Sequence, residues 1–326
     1  MKQIVYSILS MSLLIGSSCT KEECEPGIDN TLTPVSFSPE LADIQQIDTR
    51  AVKTTWAQGD QIAIFSDIAV KGDGNTSTAS IAYTRGATEG TWTPPSALEQ
   101  WYFADAIRTH NFYAYYPAGT ATSYTSVELP DISGQDGKKT VQSLKEENDS
   151  MRGIGQATKG NIAASIQMFR VFAIINLKVK LKQDAFTDNA ATLTDITLIS
   201  TNSLPLVNSS STSKATVDLS NGHVTCTNGL STVTLHPASG INLTPTTEVS
   251  IPIKIYPQQS TIQVLFTISG KTSTAQTLST TNFIGGRIYN YSVVINEGLD
   301  DIGVGDPIIF DWLNYDGSPV NPVIPS

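Results

Sequence analysis

From Val35 to Ile295 the sequence falls into short runs in which apolar and polar residues alternate, separated by clusters of glycine, proline, asparagine and aspartate. A period of two belongs to a strand whose faces meet different surroundings, so the chain is constrained to build sheets with one face on a core. The runs are Val35–Ser38, Gln61–Phe65, Ile81–Thr84, Thr91–Thr93, Asn111–Tyr116, Tyr124–Leu129, Ser165–Lys182, Thr192–Ile199, Ala215–Leu219, Ser231–Leu235, Glu248–Tyr256, Thr261–Ile268 and Arg287–Ile295. Turn signals such as Gln58-Gly59-Asp60, Gly72-Asp73-Gly74-Asn75, Pro117-Ala118-Gly119 and Ser220-Asn221-Gly222 punctuate them. Composition agrees: 39 threonines and 34 serines make up about 22% of 326 residues, and charged residues only 15%. Threonine suits a pleated surface, while serine and threonine hydroxyls compete with helix hydrogen bonds. The expected fold class is all-β, of the sandwich kind. No short internal repeat points to a solenoid or propeller.

A chain of this length makes one large or two ordinary domains. The rhythm breaks at Ser133–Gly160, which is polar and glycine-bearing, and a domain boundary is placed near 160. A charged loop inserted within one domain is the alternative.

The N-terminus carries its own signals. Lys2 precedes an apolar run from Ile4 to Ile15, too short to span a bilayer and suited to a secretory signal core. The run ends Gly16-Ser17-Ser18-Cys19, small residues before a cysteine, the pattern cut by lipoprotein signal peptidases. Cys19 is the expected lipidation site, ordinary secretion being the alternative. Thr20-Lys21-Glu22-Glu23 is similar to a signal that exports lipoproteins to the outer face of the outer membrane. The expected organisation is a lipoprotein signal peptide (1–18), a tether (19–33), an N-terminal domain (34–160) and a C-terminal domain with a tail (161–326).

Chemistry-bearing motifs are scarce. His110, His223 and His236 stand apart from one another, read as surface or loop residues, and no metal or cofactor site is expected. There is no Gly-x-Ser-x-Gly elbow, no carboxylate pair and no phosphate loop, so no catalytic residue is nominated and the chain is not expected to be an enzyme. Gly72–Asn75 lacks the later ligands of a calcium loop and reads as a turn. Cys24 and Cys226 are too few and too far apart for a disulfide framework. A net charge of -10 argues against nucleic acid as a partner. Trp56, Trp92, Trp101, Trp312 and the Phe112–Tyr116 cluster would serve a glycan platform, though alternation favours core packing for the cluster.

Taken in order, several segments resemble the fimbrillin family, lipoprotein precursors of type V pilus subunits. They are Thr49-Arg50-Ala51, Thr55-Trp56-Ala57-Gln58-Gly59-Asp60-Gln61-Ile62, Phe112-Tyr113-Ala114-Tyr115-Tyr116-Pro117, Ile166-Gln167-Met168-Phe169-Arg170-Val171-Phe172-Ala173, Gly285-Gly286-Arg287-Ile288-Tyr289-Asn290-Tyr291 and Ile308-Ile309-Phe310-Asp311-Trp312. Arg170 stands where related sequences tend to have histidine. The resemblance implies two tandem transthyretin-like β-sandwich domains, an outer-membrane lipoprotein at the cell surface, and assembly into a fimbrium. It further implies cleavage after an arginine, which frees a strand and opens a groove for a strand of a neighbouring subunit. Arg50 is the first arginine of the chain and lies beyond the Val35–Ser38 strand, so the Arg50–Ala51 bond is the expected processing site. Partners would be other copies or related pilins, membrane lipid through Cys19, and a host or bacterial surface ligand. The competing reading is a monomeric surface lipoprotein that binds glycans through exposed aromatics. Asp149-Ser150-Met151 also resembles a bacterial O-glycosylation acceptor.

Overall fold

The structure is a computed structural model that describes residues 31–41, 55–119, 121–186, 189–210, 214–299 and 302–311. In chain order the first strands are β1 (Ser36–Leu41), β2 (Gln61–Ser66), β3 (Ile81–Arg85), β4 (Trp92–Thr93), β5 (His110–Tyr116) and the short β6 (Val127–Glu128). Helix α1 (Val141–Glu146), β7 (Met151–Thr158) and β8 (Asn161–Arg170) follow. All of these strands except β6 make one seven-stranded sheet, ordered β1-β8-β7-β5-β2-β3-β4. Every pair is antiparallel except the edge strand β1, which runs parallel to β8.

The rest of the chain builds a second region. Its strands are β9 (Ala173–Leu181), β10 (Ala191–Ser200), β11 (Val207–Asn208), β12 (Ala215–Val217), β13 (Val224–Cys226), β14 (Gly229–Leu230), β15 (Thr232–Leu235) and β16 (Ile241–Leu243). They continue as β17 (Val249–Ile255), β18 (Gln258–Gln259), β19 (Ile262–Ile268), β20 (Lys271–Thr272), β21 (Gln276–Thr277), β22 (Asn282–Phe283), β23 (Arg287–Ile295), β24 (Gly303–Val304) and β25 (Ile308–Asp311). Two sheets dominate: β17-β9-β23 with β24 and β25 on the far side of β23, and β15-β10-β19 with β16, β20 and β21 attached. The inward residues of both join one hydrophobic cluster, so the architecture is a β-sandwich. β9 (Ala-Ile-Ile-Asn-Leu-Lys-Val-Lys-Leu) is buried at seven of its nine positions because it is central, with β17 antiparallel on one side and β23 parallel on the other.

Two clusters share the molecule, and β2 separates them. Ile62 and Ile64 face a first cluster with Val35, Phe37, Tyr83, Trp101, Phe112 and Ile166, while Ala63 and Phe65 face the second. Alternation along one strand thus assigns neighbouring residues to different cores. β7 turns Gly153 and Gly155 inward, where its backbone lies close against β8. A Cβ on Gly153 would lie 2.6 Å from Gln167 O, and one on Gly155 2.6 Å from Ser165 O.

The polar segment expected as a joint is structured. Leu129, Ile132, Val141 and Leu144 are buried in the second cluster, and α1 begins with a reciprocal cap between Thr140 and Ser143. The expected boundary near 160 lies in the turn between β7 and β8, two paired strands of one sheet. Along the expected run Ser165–Lys182 the chain changes sheet between Arg170 and Ala173. His110 corrects the surface reading: it is fully buried, with Nε2 accepting from Ala104 N–H (3.2 Å) and Nδ1 donating to Arg108 O (3.1 Å). Both ring nitrogens are satisfied by local backbone, which makes burial affordable for a polar ring.

Candidate functional site: the covered edge of the first sheet

The residues that carry the strongest functional signal surround β1. Its inward positions are Phe37, Pro39 and Leu41, continuing the strand period of Val35 immediately before it. Phe37, 5% exposed, stands edge-on to Tyr83 (4.9 Å) and Phe112 (5.0 Å) and fills the space over Ala164, its register partner. Six pairs, Ser36↔Ala163 through Leu41↔Met168, tie β1 to β8. Just upstream, Val35 N–H donates to Trp101 O (2.9 Å) and Phe103 N–H donates to Thr33 O (3.0 Å). The first cluster therefore includes a plug of short sequence, attached on both sides by hydrogen bonds to distant chain.

Trp101 anchors the wall of this site. It is fully buried, its Nε1–H donates to Ile64 O (2.9 Å), and its main-chain N–H donates to Tyr83 Oη (3.0 Å). Burial pushes the Tyr83 hydroxyl far above its usual range. Trp101 is thus a core residue and offers no platform to a sugar. Phe112 and Ala114 face the first cluster, whereas Tyr115 faces the second and donates to Ser150 Oγ (3.2 Å). Burial lifts Tyr115 to about 12. Tyr113 and Tyr124 stack face to face at 4.0 Å, half-buried. Trp56 and Trp92 are half-buried against each other, and Trp312 lies outside the described residues. The exposed aromatic that sequence reasoning did not single out is Phe169, 44% exposed on the wall of a cleft of about 710 Å³ shared with Arg152, His223 and Ile284.

The other sequence-level sites distribute as follows. Cys19, Arg50 and Ala51 lie outside the described residues, Arg50 and Ala51 in the stretch 42–54 between β1 and Thr55. Ser150, the proposed glycan acceptor, is 1% exposed and beneath an ion pair in which Arg170 Nε meets Asp149 Oδ1 at 2.9 Å and Nη2 meets Oδ2 at 3.1 Å. A folded chain does not present that hydroxyl to an enzyme. Arg170 makes a two-pronged, nearly buried pair with Asp149 that the planar guanidinium fits. Gly72–Asn75 is a turn: Lys71 N–H donates to Asn75 O (2.8 Å) and Gly74 has φ of 79°. Cys226 is half-buried and forms no disulfide with another described residue. Among the described residues no group of three or more His, Cys, Asp or Glu side chains is placed to hold a metal. None of their helices is long and apolar enough to cross a membrane.

A family model described as fimbrillin-like matches residues 49–312. The chain belongs to the fimbrillin-like family. Membership supports a pilus-type adhesive subunit working at the cell surface, a structural role. No curated protein matches the chain. Among solved structures, a candidate cell adhesion protein from Bacteroides uniformis ATCC 8492 is similar, with 20% identity and a TM-score of 0.53 over 86% of this chain and 99% of that one. Another, from Bacteroides ovatus ATCC 8483, has 17% identity and a TM-score of 0.52 over 87% of this chain and 99% of that one. At these identities the likeness establishes a shared fold. The model match begins at Thr49, beside the Arg50–Ala51 bond and after β1.

Proposed function

We propose that this fimbrillin-like chain is a structural and adhesive subunit of a type V pilus, exported as a lipoprotein acylated at Cys19 and activated by cleavage after Arg50. The observation that carries the reading is β1. It is an edge strand, packed with core-type contacts, and it lies entirely N-terminal to Arg50. A single cut there would leave β1 held by noncovalent contacts alone. Its departure would expose the edge of β8 and a slot lined by Tyr83, Phe112, Ala164 and Ile166. An unpaired edge beside an apolar slot readily accepts another strand, main-chain bonds supplying affinity and alternate side chains supplying register.

The sequence contains a segment with the same inward pattern. Val320-Asn321-Pro322-Val323-Ile324 matches Phe37-Ser38-Pro39-Glu40-Leu41 in placing a proline midway between two apolar residues at alternate positions. A tail of this kind from a second copy is the donor we favour. The two clusters support a division into two sandwich domains, and the switch of sheets after Arg170 is the natural joint.

Limited trypsin digestion of the mature protein tests the reading, with mass spectrometry of the core and sizing before and after. We expect an early cut at Arg50–Ala51 that leaves the remaining core intact, followed by ladders of oligomers. A cut core that stays monomeric, or no preferred cut at Arg50, would count against strand exchange.

A further inference from the structure

The Thr55–Ile62 motif contains a tryptophan that neither cleavage nor strand loss requires, and the structure gives it a position. Trp56 stands at the head of a tight turn in which Ala57 N–H donates to Asp60 Oδ2 (2.6 Å) and Asp60 N–H donates to Ala57 O (3.1 Å). Gly59 supplies the left-handed φ of 88° and its N–H donates to Arg85 O (2.9 Å). The turn is bound to β3 and runs directly into β2, so the backbone under Trp56 is fixed by the core and not by β1. From this footing the indole reaches the outer side of β1, where Nε1–H donates to Pro39 O (2.8 Å). Its ring packs edge-on against Trp92 of β4 (5.2 Å) and Tyr116 of β5 (5.3 Å).

Strand geometry says what this bond does. The N–H and C=O of one residue point to the same side of a strand, and the side alternates with each residue. Pro39 turns its carbonyl to Trp56, so its nitrogen also faces away from β8 and the ladder loses no donor to the proline. Val35 uses the same outer side for its bond to Trp101 O. The outer edge of β1 is therefore closed at its start by main chain and near its end by an indole. β1 and β4 are the two terminal strands of the sheet, and Trp56 spans them, bonded to Pro39 of β1 and packed on Trp92 of β4.

We propose that Trp56 is a register latch for the edge-strand site. Its indole N–H takes the main-chain carbonyl opposite Ile166 from whichever strand occupies the edge, first β1 and then a strand of a second copy. The second half of this statement rests on the strand-exchange reading. Trp56 lies C-terminal to the Arg50–Ala51 bond, so it stays with the core when β1 leaves. A slip of one residue would turn the carbonyl toward β8 and send the apolar side chains outward, so the latch and the slot reject the same misalignments. The fitting partner is a strand with apolar residues at alternate positions, in which the latch position tolerates proline.

Hydrogen exchange on the full uncut chain tests the latch independently of cleavage. Trp56→Phe keeps an aromatic ring against Trp92 and Tyr116 and removes only the donor. We expect the amides of Ser36–Leu41 to exchange about fivefold faster, the loss of one hydrogen bond, with those of β5 and β7 unchanged. Trp92→Phe, which alters the packing and keeps the donor, should leave β1 within about twofold of the parent, less than the loss of a bond. Unchanged β1 exchange in Trp56→Phe, or equal acceleration of β1, β5 and β7, would overturn the latch. In the cut core, a synthetic Thr33–Leu41 peptide should dissociate about fivefold faster from Trp56→Phe than from the parent, by the same reckoning. Equal dissociation rates would overturn the latch for an incoming strand. If the parent is not cut or the cut core does not assemble while the selective β1 effect persists, strand exchange fails and the latch on β1 stands.

Discussion

Two sheet edges in this molecule are closed in opposite ways. The edge at β8 is covered by β1, which sends Val35 and Phe37 into a core and lies before Arg50. The edge at β17 is covered by internal chain between β6 and β7. There the Gln135 carboxamide mimics a strand, Nε2–H donating to Lys254 O (2.8 Å) and Oε1 accepting from Lys254 N–H (2.7 Å), while α1 packs nearby. Pro252, two residues earlier, faces its nitrogen to the same outer side, where no donor is needed. Both devices remove an exposed edge that would otherwise template association. They differ in connectivity: the cover on β17 is tied to the chain at both ends and no single cut frees it, whereas one cut after Arg50 leaves β1 untethered. The β17 edge is covered by chain tethered on both sides, and on the proposed reading the β8 edge is the one that a cut after Arg50 would open.

The comparison can be broken by mutation. Phe37→Ala should have the largest effect, roughly 3 to 5 kcal/mol as for other buried aromatics, read by urea unfolding. The loss should appear first as release of β1, with β5 and β7 still protected from exchange. Gln135→Ala should cost less, roughly 1 to 2 kcal/mol for two main-chain hydrogen bonds, and should release nothing, since the segment stays tethered. Equal costs with equal patterns of exposure would remove the distinction drawn between the edges.

The third expected effect is a slope. Lys254 is 2% exposed, its Nζ donates to Glu147 O, and the ammonium sits 5.3 Å from the Phe172 ring centroid. Burial, only partly opposed by Asp149 and Glu147, lowers it to about 8 from 10.5. Between those values the unfolded chain holds a proton that the folded chain has shed, so this lysine makes stability rise with pH across that window. Below about 8 it is charged in both states and adds no slope. Lys254→Met should abolish the rise, measured as urea midpoints from neutral to pH 10. A rise that survives the substitution would assign the slope to another group and remove Lys254 as its source.

Much of the strand pattern could be read from sequence because its inward residues are large. β2, β5, β10, β19 and β23 carry Ile, Leu, Val, Phe or Tyr at alternate positions. β7 could not, because after Met151 its inward positions are Gly153, Gly155 and Ala157, small residues that resemble a loop in one dimension, the two glycines lying close against β8. His110 was missed for a related reason: the loop carbonyl and amide that satisfy it are visible only once residues 104–110 have folded back. Trp56 was visible as part of a motif, yet its partner Pro39 is a main-chain oxygen with no sequence signature.

The sequence by itself determined the β class, the turns, the scarcity of catalytic groups and the order of an edge-suited segment before the first arginine. These are local properties, fixed by side-chain period and by which residues tolerate turns. Tertiary structure alone decided that β1 lies parallel on β8, where Ser36 Oγ donates to Ile162 O (3.3 Å) across 126 positions of sequence. It also decided which tryptophan is a wall and which a latch, and which segment closes each edge. Periodicity tells a strand which face to bury, but its neighbour is selected by the shape and unpaired hydrogen-bonding groups of chain that becomes adjacent only in the folded protein.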